Sequence, residues 1–240
     1  MATIKEVVQR VAGELGLTRP DSIYGNTDQE ALRYLALANA AGQYLARRDW
    51  QALTFEHTFQ TVSGTLEYAL PTDPPFHHLK RGTAFDRTNT RAIAGQRTPA
   101  QWQEGEALLL PSTGLHRQFR LRVTTAAPRV RKFYLLDDPA GAYDLAFEYV
   151  TDAWCYDGSS AHTTTIGTDA AIPVFDEYLY ALEFRWRLLR SLEAPYYDEK
   201  DEAIRLADLL YGQENPQSID MRRRRRSVLT ANTPESGYGV

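Results

Sequence analysis

The spacing of apolar residues changes twice along this chain, and this change limits its fold more than any other feature. Between residues 4 and 15, apolar side chains recur every three or four positions, as on one face of a helix. From Leu53 to Phe59 they alternate with polar ones, as in a strand with one buried face. Helical spacing returns between residues 175 and 189. The sequence therefore predicts an α+β protein with helices on both sides of a β-rich segment.

Three short patterns indicate where helices begin. Thr3 with Glu6, and Thr27 with Glu30, fit the Thr-x-x-Glu capping box, in which each side chain accepts a hydrogen bond from the other residue's main chain. The Thr-Pro pair at residues 98–99 fits an N-cap followed by the first helical residue. We therefore predict helices after the first two patterns, and a short helix over "TPAQWQEGE".

The second predicted helix, from about residue 28 to about residue 48, is rich in alanine and contains Gly42. Alanine has a high helix propensity, which explains the composition without any further role. Small side chains also allow a neighbouring element to approach closely, so the pattern fits crowded packing against another helix. The sequence leaves both interpretations open.

The two helical pairs are each too short to bury their apolar faces alone. We therefore predict that residues 1–50 and 170–212 form one four-helix bundle, built from an N-terminal and a C-terminal helical pair. Residues 51–169 are then an inserted β-rich domain, and residues 213–240 an extended C-terminal tail. The predicted strands of the inserted domain are residues 53–60, 66–70, 83–86, 91–94, 119–123, 132–136 and 145–150.

Positive charge is concentrated in the tail. Five consecutive arginines occupy positions 222–226, whereas the whole chain has a formal net charge of −4. A general DNA-binding domain would spread basic residues over a face, so this pattern favours a tail that docks on a specific partner. The docking residues that we predict are Arg222, Arg223, Arg224, Arg225 and Arg226, with Val228 and Leu229 as apolar anchors.

The motifs of well-known enzymes and metal sites are missing from the sequence. It has no Walker A motif, no Gly-x-Gly-x-x-Gly, no Gly-x-Ser-x-Gly and no HExxH. The adjacent His77 and His78 could bind a metal, but an incidental pair is more common. The single cysteine, Cys155, fits a small apolar residue better than a nucleophile. No stretch approaches the roughly 20 apolar residues that cross a bilayer. We therefore predict no catalytic residue, no cofactor, no metal and no membrane contact.

Three stretches together resemble a known family. They are "GLTRPDSIYGNTDQEALRYLALANAAGQYLARRDWQALTFEHTFQTVSGTLEYALP", "AFDRTNTRAIAGQRTPAQWQ", and "DLAFEYVTDAW" leading to "IPVFDEYLYALEFRWRLLRSL". This layout is similar to the head-to-tail adaptor, or connector, proteins of tailed double-stranded DNA bacteriophages, of the tail tubular or tail accessory factor type. The resemblance covers about residues 1–212, and the arginine run is not part of it.

The resemblance implies a structural virion protein, located in the neck between capsid portal and tail. It implies a ring of twelve subunits below the portal, which continues the DNA channel and receives a tail nozzle or tail completion protein. It also implies that the C-terminal tail reaches onto the portal, so we assign the arginine run to portal docking. A single cysteine permits no internal disulfide and fits assembly in the reducing cytoplasm of a host bacterium.

Several arginines and tyrosines of the predicted helices are candidates for the channel or for subunit contacts. Arginines off the apolar stripe must be solvated, paired or in contact with a partner, and ordinary surface salt bridges are the simpler explanation. Tyrosines are enriched at interfaces but are also common in cores. The candidates are Arg33, Arg47, Arg48, Arg185, Arg187, Arg190, Tyr180, Tyr196 and Tyr197, whereas Trp186 is expected in the core.

Two other functions compete with a virion adaptor. A nucleic-acid-binding protein could use the arginine-rich tail, although the acidic body argues against it. An enzyme could carry an unfamiliar site in the β-rich segment, although no group of residues there supports one.

Overall fold

The computed structural model describes residues 2–107, 118–124, 129–158 and 161–214. Within these residues the chain forms five α-helices, a 3-10 turn at Gln51–Leu53 and eleven short strands. The helices are α1 (Ile4–Glu14), α2 (Gln29–Leu45), α3 (Pro99–Ala107), α4 (Glu177–Ser191) and α5 (Tyr197–Glu214). The strands are β1 (Thr54–Gln60), β2 (Glu67–Ala69), β3 (His78–Leu79), β4 (Phe85–Asp86), β5 (Arg91–Ala92), β6 (Phe119–Val123), β7 (Arg131–Leu135), β8 (Asp144–Val150), β9 (Cys155–Tyr156), β10 (His162–Thr163) and β11 (Ile172–Pro173).

The two N-terminal helices begin differently. At α1 the predicted capping box is confirmed: the Thr3 hydroxyl accepts from the Glu6 N–H at 3.2 Å, and the Glu6 carboxylate accepts from the Thr3 N–H at 2.8 Å. The box predicted at residues 27–30 is wrong. The N-cap of α2 is Asp28, with no side-chain cap, because the chain enters the helix through a turn in which the Asn26 side chain accepts the Asp28 N–H at 3.0 Å.

The predicted short helix after residue 98 is confirmed as α3. The Thr98 hydroxyl accepts from the Gln101 N–H at 3.3 Å, and the Gln101 side chain accepts from the Thr98 N–H at 3.2 Å. Trp102 is buried on its inner face. Helix α4 is capped in the same way, since the Asp176 carboxylate accepts from the N–H of Leu179 at 2.9 Å.

Strand β8 pairs with three other strands of the largest sheet. It pairs antiparallel with β1 in a register that runs from Thr54 opposite Val150 to Gln60 opposite Asp144. It also pairs with β3 and β4, and β5 extends that edge. The other two sheets have the orders β2-β7-β6 and β10-β9-β11. The predicted alternation in β1 is confirmed from residue 55 to residue 60, where half-buried and exposed side chains follow each other.

The loop between α1 and α2 is held by a carboxylate from the segment before α4. One oxygen of Asp169 accepts from the main-chain N–H of Ile23 at 3.0 Å and of Tyr24 at 2.8 Å. Burial raises the pKa of Asp169, but hydrogen bonds from the Ser22 hydroxyl and these two N–H groups outweigh it, and the pKa is lowered overall. Ile23 is fully buried as a result of this attachment.

The small residues of α2 allow a tryptophan to approach the helix. Trp154 is fully buried and stacks on Tyr180 with ring centroids 5.7 Å apart. Its indole lies so close to Gly42 that a Cβ there would come within 2.2 Å of the ring. Close packing at α2 is therefore real, but the partner at this point is an indole and not a helix.

The predicted four-helix bundle with an inserted domain is wrong. The core around α1, α2 and α4 is completed by Leu53, Val150 and Trp154, which come from the segment assigned to the insertion. Helix α5 buries only Ala203 and Ala207, so it is too polar to supply the fourth side of a bundle. Helix α3 lies among the strands in the chain order. The described chain therefore has five helices distributed among several antiparallel sheets, while the domain limits near residues 50, 170 and 213 stay predictions.

A second core lies between the five-stranded sheet and the β2-β7-β6 sheet. Phe133 stacks on Phe119 at 4.6 Å and on Phe147 at 5.5 Å between ring centroids. Tyr68, Leu135 and Leu145 are buried in the same cluster. Aromatic stacking of this kind stabilises a sheet interface beyond the burial of its area.

Candidate functional site

Two of the candidate arginines tie helices together. Arg48, directly after α2, donates to Asp208 of α5 at 2.6 Å. Arg185 of α4 donates to Glu14 of α1 at 3.2 Å, and its Nε lies 3.9 Å from Glu199 of α5. These pairs are partly exposed, so each contributes little stability alone. Within the chain both arginines make ordinary salt bridges, and a role toward a neighbouring subunit stays a prediction.

Arg187 belongs to a buried ionic cluster on α4. Its partner Glu183 is 1% exposed. The Glu183 carboxylate accepts from Trp186 Nε1 at 2.8 Å and from the Arg187 guanidinium, which also donates to the Glu183 carbonyl at 2.8 Å. A buried carboxylate is tolerated only when it is paired and hydrogen-bonded, and here both conditions are met. The cluster fixes the position of the Arg187 side chain, which is 10% exposed, just beneath the surface.

Arg187 lies at the centre of a surface that we call the aromatic patch: Tyr44, Trp186, Arg187, Tyr196 and Tyr197. The guanidinium is 4.9 Å from the ring centre of Tyr44 and 4.2 Å from that of Trp186. Tyr196 stacks on Trp186 at 6.1 Å and on Tyr197 at 4.5 Å. Tyr44 is 38% exposed and Tyr197 68% exposed. The patch thus joins α2, α4 and α5 and presents aromatic rings to solvent.

Positive groups surround the aromatic patch. Arg47 lies 5.9 Å from the ring centre of Tyr44, and Lys200 lies 5.9 Å from that of Trp186. Arg190 is exposed in the last turn of α4, where a cation interacts favourably with the helix dipole. The hydrogen bond with Tyr196 raises the pKa of the Tyr197 hydroxyl, which therefore stays protonated at neutral pH. Aromatic rings with arginines at the surface suit binding to a partner.

Two other candidates lie away from this surface. Arg33 is half-buried on α2, 5.9 Å from the ring centre of Tyr34, and no described residue accepts a hydrogen bond from its buried Nε. Tyr180 is fully buried, and its hydroxyl donates to the Ala38 carbonyl at 3.0 Å. Burial raises the pKa of Tyr180 well above its usual value. Because Tyr180 has no exposed surface in the chain, we leave it out of the proposed contact surface.

The predicted docking residues of the tail, at positions 222–226, 228 and 229, lie outside the described residues. The last described residue is Glu214, at the end of α5. Its carboxylate accepts from the main-chain N–H of Gln51 at 3.0 Å. The point from which the tail departs is therefore fixed beside the start of β1.

The candidate reactive groups have surroundings that favour structural roles. Burial raises the pKa of the Cys155 thiol to about 11, so it is protonated at neutral pH and a poor nucleophile. His77 and His78 approach each other at 2.8 Å between their Nδ1 atoms, and His78 Nε2 lies 3.0 Å from Asp49. Among the described residues, no group of three or more histidine, cysteine, aspartate or glutamate side chains is arranged to hold a metal ion.

Of the helices in the described part of the chain, none has the length and apolar character needed to span a bilayer.

The family model for SU10 adaptor proteins matches residues 2–234. The chain belongs to the SU10 adaptor protein family. This confirms the resemblance to phage head-to-tail adaptors. No curated protein matches the chain.

As an SU10-family adaptor, the chain is a structural bacteriophage protein of the virion neck that interacts with other head and tail proteins. The family match continues through the arginine run at 222–226, beyond the stretches that carry the resemblance in the sequence. The family match therefore includes most of the tail, up to residue 234.

Sequence reasoning missed three residues in or beside the aromatic patch of this adaptor: Tyr44 in the patch, Lys200 at its edge, and the buried Glu183 beneath it. Glu183 and Arg187 are four positions apart on one helix, a spacing typical of ion pairs, so that link was readable. Tyr44 and Lys200 join the patch only through the packing of α2 and α5 around α4, which no local pattern reveals. The expectation that Trp186 belongs to the core is confirmed by its 9% exposure.

Proposed function

We propose that this SU10-family adaptor is a non-enzymatic ring subunit of the virion neck. Twelve copies form a ring below the portal, the ring continues the DNA channel, and a tail nozzle or tail completion protein attaches to it. The observation that carries the proposal is the match to the SU10 adaptor family, which spans residues 2–234.

The aromatic patch is the subunit contact that we propose. Its exposed rings, Tyr44 and Tyr197, are accompanied by exposed leucines on the same two helices, Leu32 at 48% and Leu209 at 58%. Exposed aromatic and apolar side chains of this kind are candidates for contact with a partner. Interfaces favour aromatic residues and arginine, and Arg187 is already held in place between two rings.

The tail is the portal contact that we propose. Residues 213–240, at roughly 3.3 Å per residue, could span about 90 Å, which is enough to reach a neighbouring ring. In an extended strand Arg222, Arg224 and Arg226 point to one side, and Arg223 and Arg225 to the other. One set can pair bidentately with carboxylates of the portal while the other meets a neighbouring subunit.

The ring is tested by negative-stain electron microscopy of the purified chain, alone and mixed with its portal. We expect rings in the mixture, and we expect a Tyr44→Ala/Tyr197→Ala variant to keep the circular dichroism spectrum of the parent while forming few rings. The matched control is Tyr24→Ala, which removes an exposed tyrosine of the loop before α2. Normal rings from the double variant would contradict a lateral role for the patch.

The tail is tested by nuclease-treated pull-downs with the portal. Deletion of residues 213–240 should abolish binding, and replacing all five arginines by lysine should weaken it, because lysine lacks the planar fork that pairs bidentately. The same lysine variant should bind duplex DNA with the same steep salt dependence as the parent, since phosphate binding depends on charge count. Undiminished portal binding by the deleted chain, with loss of DNA binding alone, would favour the competing nucleic-acid function.

A further inference from the structure

An open groove lies in the β-rich part of the chain, away from the aromatic patch in the sequence. Its volume is about 630 Å³. It is lined by residues from the segments 79–84 and 92–99 and by the first part of β6. Its apolar lining includes the half-buried Leu79 and Leu121, with the buried Ile93 and Phe119 behind them. The groove therefore offers a limited apolar surface at Leu79 and Leu121.

Three arginines line this groove: Arg81, Arg97 and Arg120. The described lining contains no aspartate or glutamate. The Nε atom of Arg97 is buried, and no described residue accepts a hydrogen bond from it. A guanidinium group can donate two parallel hydrogen bonds to a carboxylate, so a carboxylate would be a suitable acceptor. In a chain of net charge −4, three guanidinium groups without a carboxylate between them are a local excess of positive charge. A ligand that fits this groove is anionic.

The outer edge of β6 beside the groove is only partly occupied: Ala94 forms a parallel bridge with Gln118, and the Arg97 N–H donates to the Phe119 carbonyl at 3.1 Å. Strand β6 is the outer strand of its sheet and pairs only with β7 among the described strands. The Leu136 N–H bonds to the Gln118 carbonyl and the Thr124 N–H to the Val130 carbonyl, so even-numbered residues of this strand face β7. The main-chain groups of Leu121 and Val123 therefore point away from β7. They are positioned to accept another strand.

We propose that this groove binds an extended acidic segment of a partner protein, which adds to β6 as a strand and pairs its carboxylates with Arg81, Arg97 and Arg120. An exposed strand edge recognises extended peptides by main-chain hydrogen bonds, and adjacent pockets supply side-chain specificity. Nucleic acid fits less well, because it offers no backbone ladder for β6. The chain's own tail is excluded by charge, since residues 213–240 carry five arginines against Glu214, Asp220 and Glu235. The proposal goes beyond the ring and does not depend on it.

The test uses the full-length chain and a fluorescein-labelled short peptide of alternating valine and glutamate, with fluorescence anisotropy as the readout. We expect saturable binding, and binding at least about tenfold weaker to an Arg81→Glu/Arg120→Glu variant, because two charge-assisted hydrogen bonds are lost. The matched control is Arg19→Glu/Arg205→Glu, which changes net charge equally at two exposed positions outside the groove and should bind like the parent.

Two altered peptides test the strand and the charge separately. N-methylation of alternate residues removes the main-chain donors and should abolish binding, and lysine in place of glutamate should do the same. Binding of either altered peptide as tightly as the parent peptide would overturn the proposal. So would equal losses in the groove variant and the control variant, no binding of the parent peptide, or tighter binding of single-stranded DNA that the groove substitutions abolish.

Discussion

Replacing Glu183 with methionine should destabilise this adaptor more than any substitution of an exposed charge. The change leaves the Arg187 guanidinium, which is 10% exposed, without its carboxylate, and leaves Trp186 Nε1 without an acceptor. Removing one partner of a buried pair typically costs about 3–5 kcal/mol. Because Arg187 keeps its bond to the main-chain carbonyl of residue 183, we expect the lower end, about 3 kcal/mol. For a chain of this length that corresponds to a fall in Tm of about 6–12 °C.

A double-mutant cycle separates this pair from its surroundings. Arg187→Met alone should cost a similar amount, because it leaves the Glu183 carboxylate buried with only the Trp186 N–H. The double variant removes both charges, so its main remaining cost is the unpaired indole N–H, about 2 kcal/mol. It should therefore be more stable than either single variant.

The assay is urea unfolding followed by tryptophan fluorescence and circular dichroism. The control cycle is Arg48→Met with Asp208→Met, a partly exposed pair whose coupling energy should stay below about 1 kcal/mol. If the double variant at 183 and 187 loses the sum of the two single losses, the two residues act independently. The reasoning that Arg187 is held in the aromatic patch by a buried pair would then be refuted.

Three further predictions test other parts of the fold. Gly42→Ala should cost about 1–3 kcal/mol in urea unfolding, because its Cβ meets the Trp154 ring, whereas Gly167→Ala, which meets nothing within 4 Å, should be close to neutral. Asp169→Asn should cost about 1–3 kcal/mol near neutral pH. The pKa of Asp169 is lower in the folded than in the unfolded chain. The stabilisation by its carboxylate is therefore present above the unfolded pKa and is lost as the pH falls through the folded pKa. The stabilities of the parent and the Asp169→Asn variant should converge below about pH 4. Finally, iodoacetamide at mildly alkaline pH should leave Cys155 unmodified in the folded chain and label it in urea, as mass spectrometry would detect; rapid labelling of the folded chain would contradict its burial and raised pKa.

Local signals in the sequence predicted local structure well. The capping pairs at Thr3 and Thr98 and the alternation in β1 depend on residues within a few positions of one another, and all three are confirmed. The capping box expected at residues 27–30 failed for an equally local reason, because α2 begins one residue later, with Asp28 as its N-cap, after a turn in which the Asn26 side chain accepts the Asp28 N–H. Such patterns involve interactions between residues that are close in the sequence, so they can be interpreted without knowledge of the tertiary packing.

The bundle was wrong because it depended on which apolar faces meet. Helical spacing shows that a helix has an apolar face but not what covers it. In this chain Trp154 and Val150, from the segment predicted to be an insertion, are part of the core around α1, α2 and α4. The sequence of α5 did carry a warning, since Ala203 and Ala207 are small and many of their neighbours are charged.

The candidate surface was predicted only in part, for the same reason. Residue type and position pointed to Arg187, Tyr196 and Tyr197. They could not separate these residues from Tyr180, which has the same chemistry but lies inside the core. Burial is a property of the packed chain, and it decides which of the tyrosines can touch a partner.

The measurement that tests the central proposal most directly is electron microscopy of the full-length chain assembled with its portal. We expect a twelvefold ring stacked on the portal, with an open channel on the common axis and the aromatic patch of each subunit against its neighbour. The deletion of residues 213–240 should prevent stacking on the portal. A chain that stays monomeric with its portal, or that binds the portal without forming a closed ring, would contradict the account.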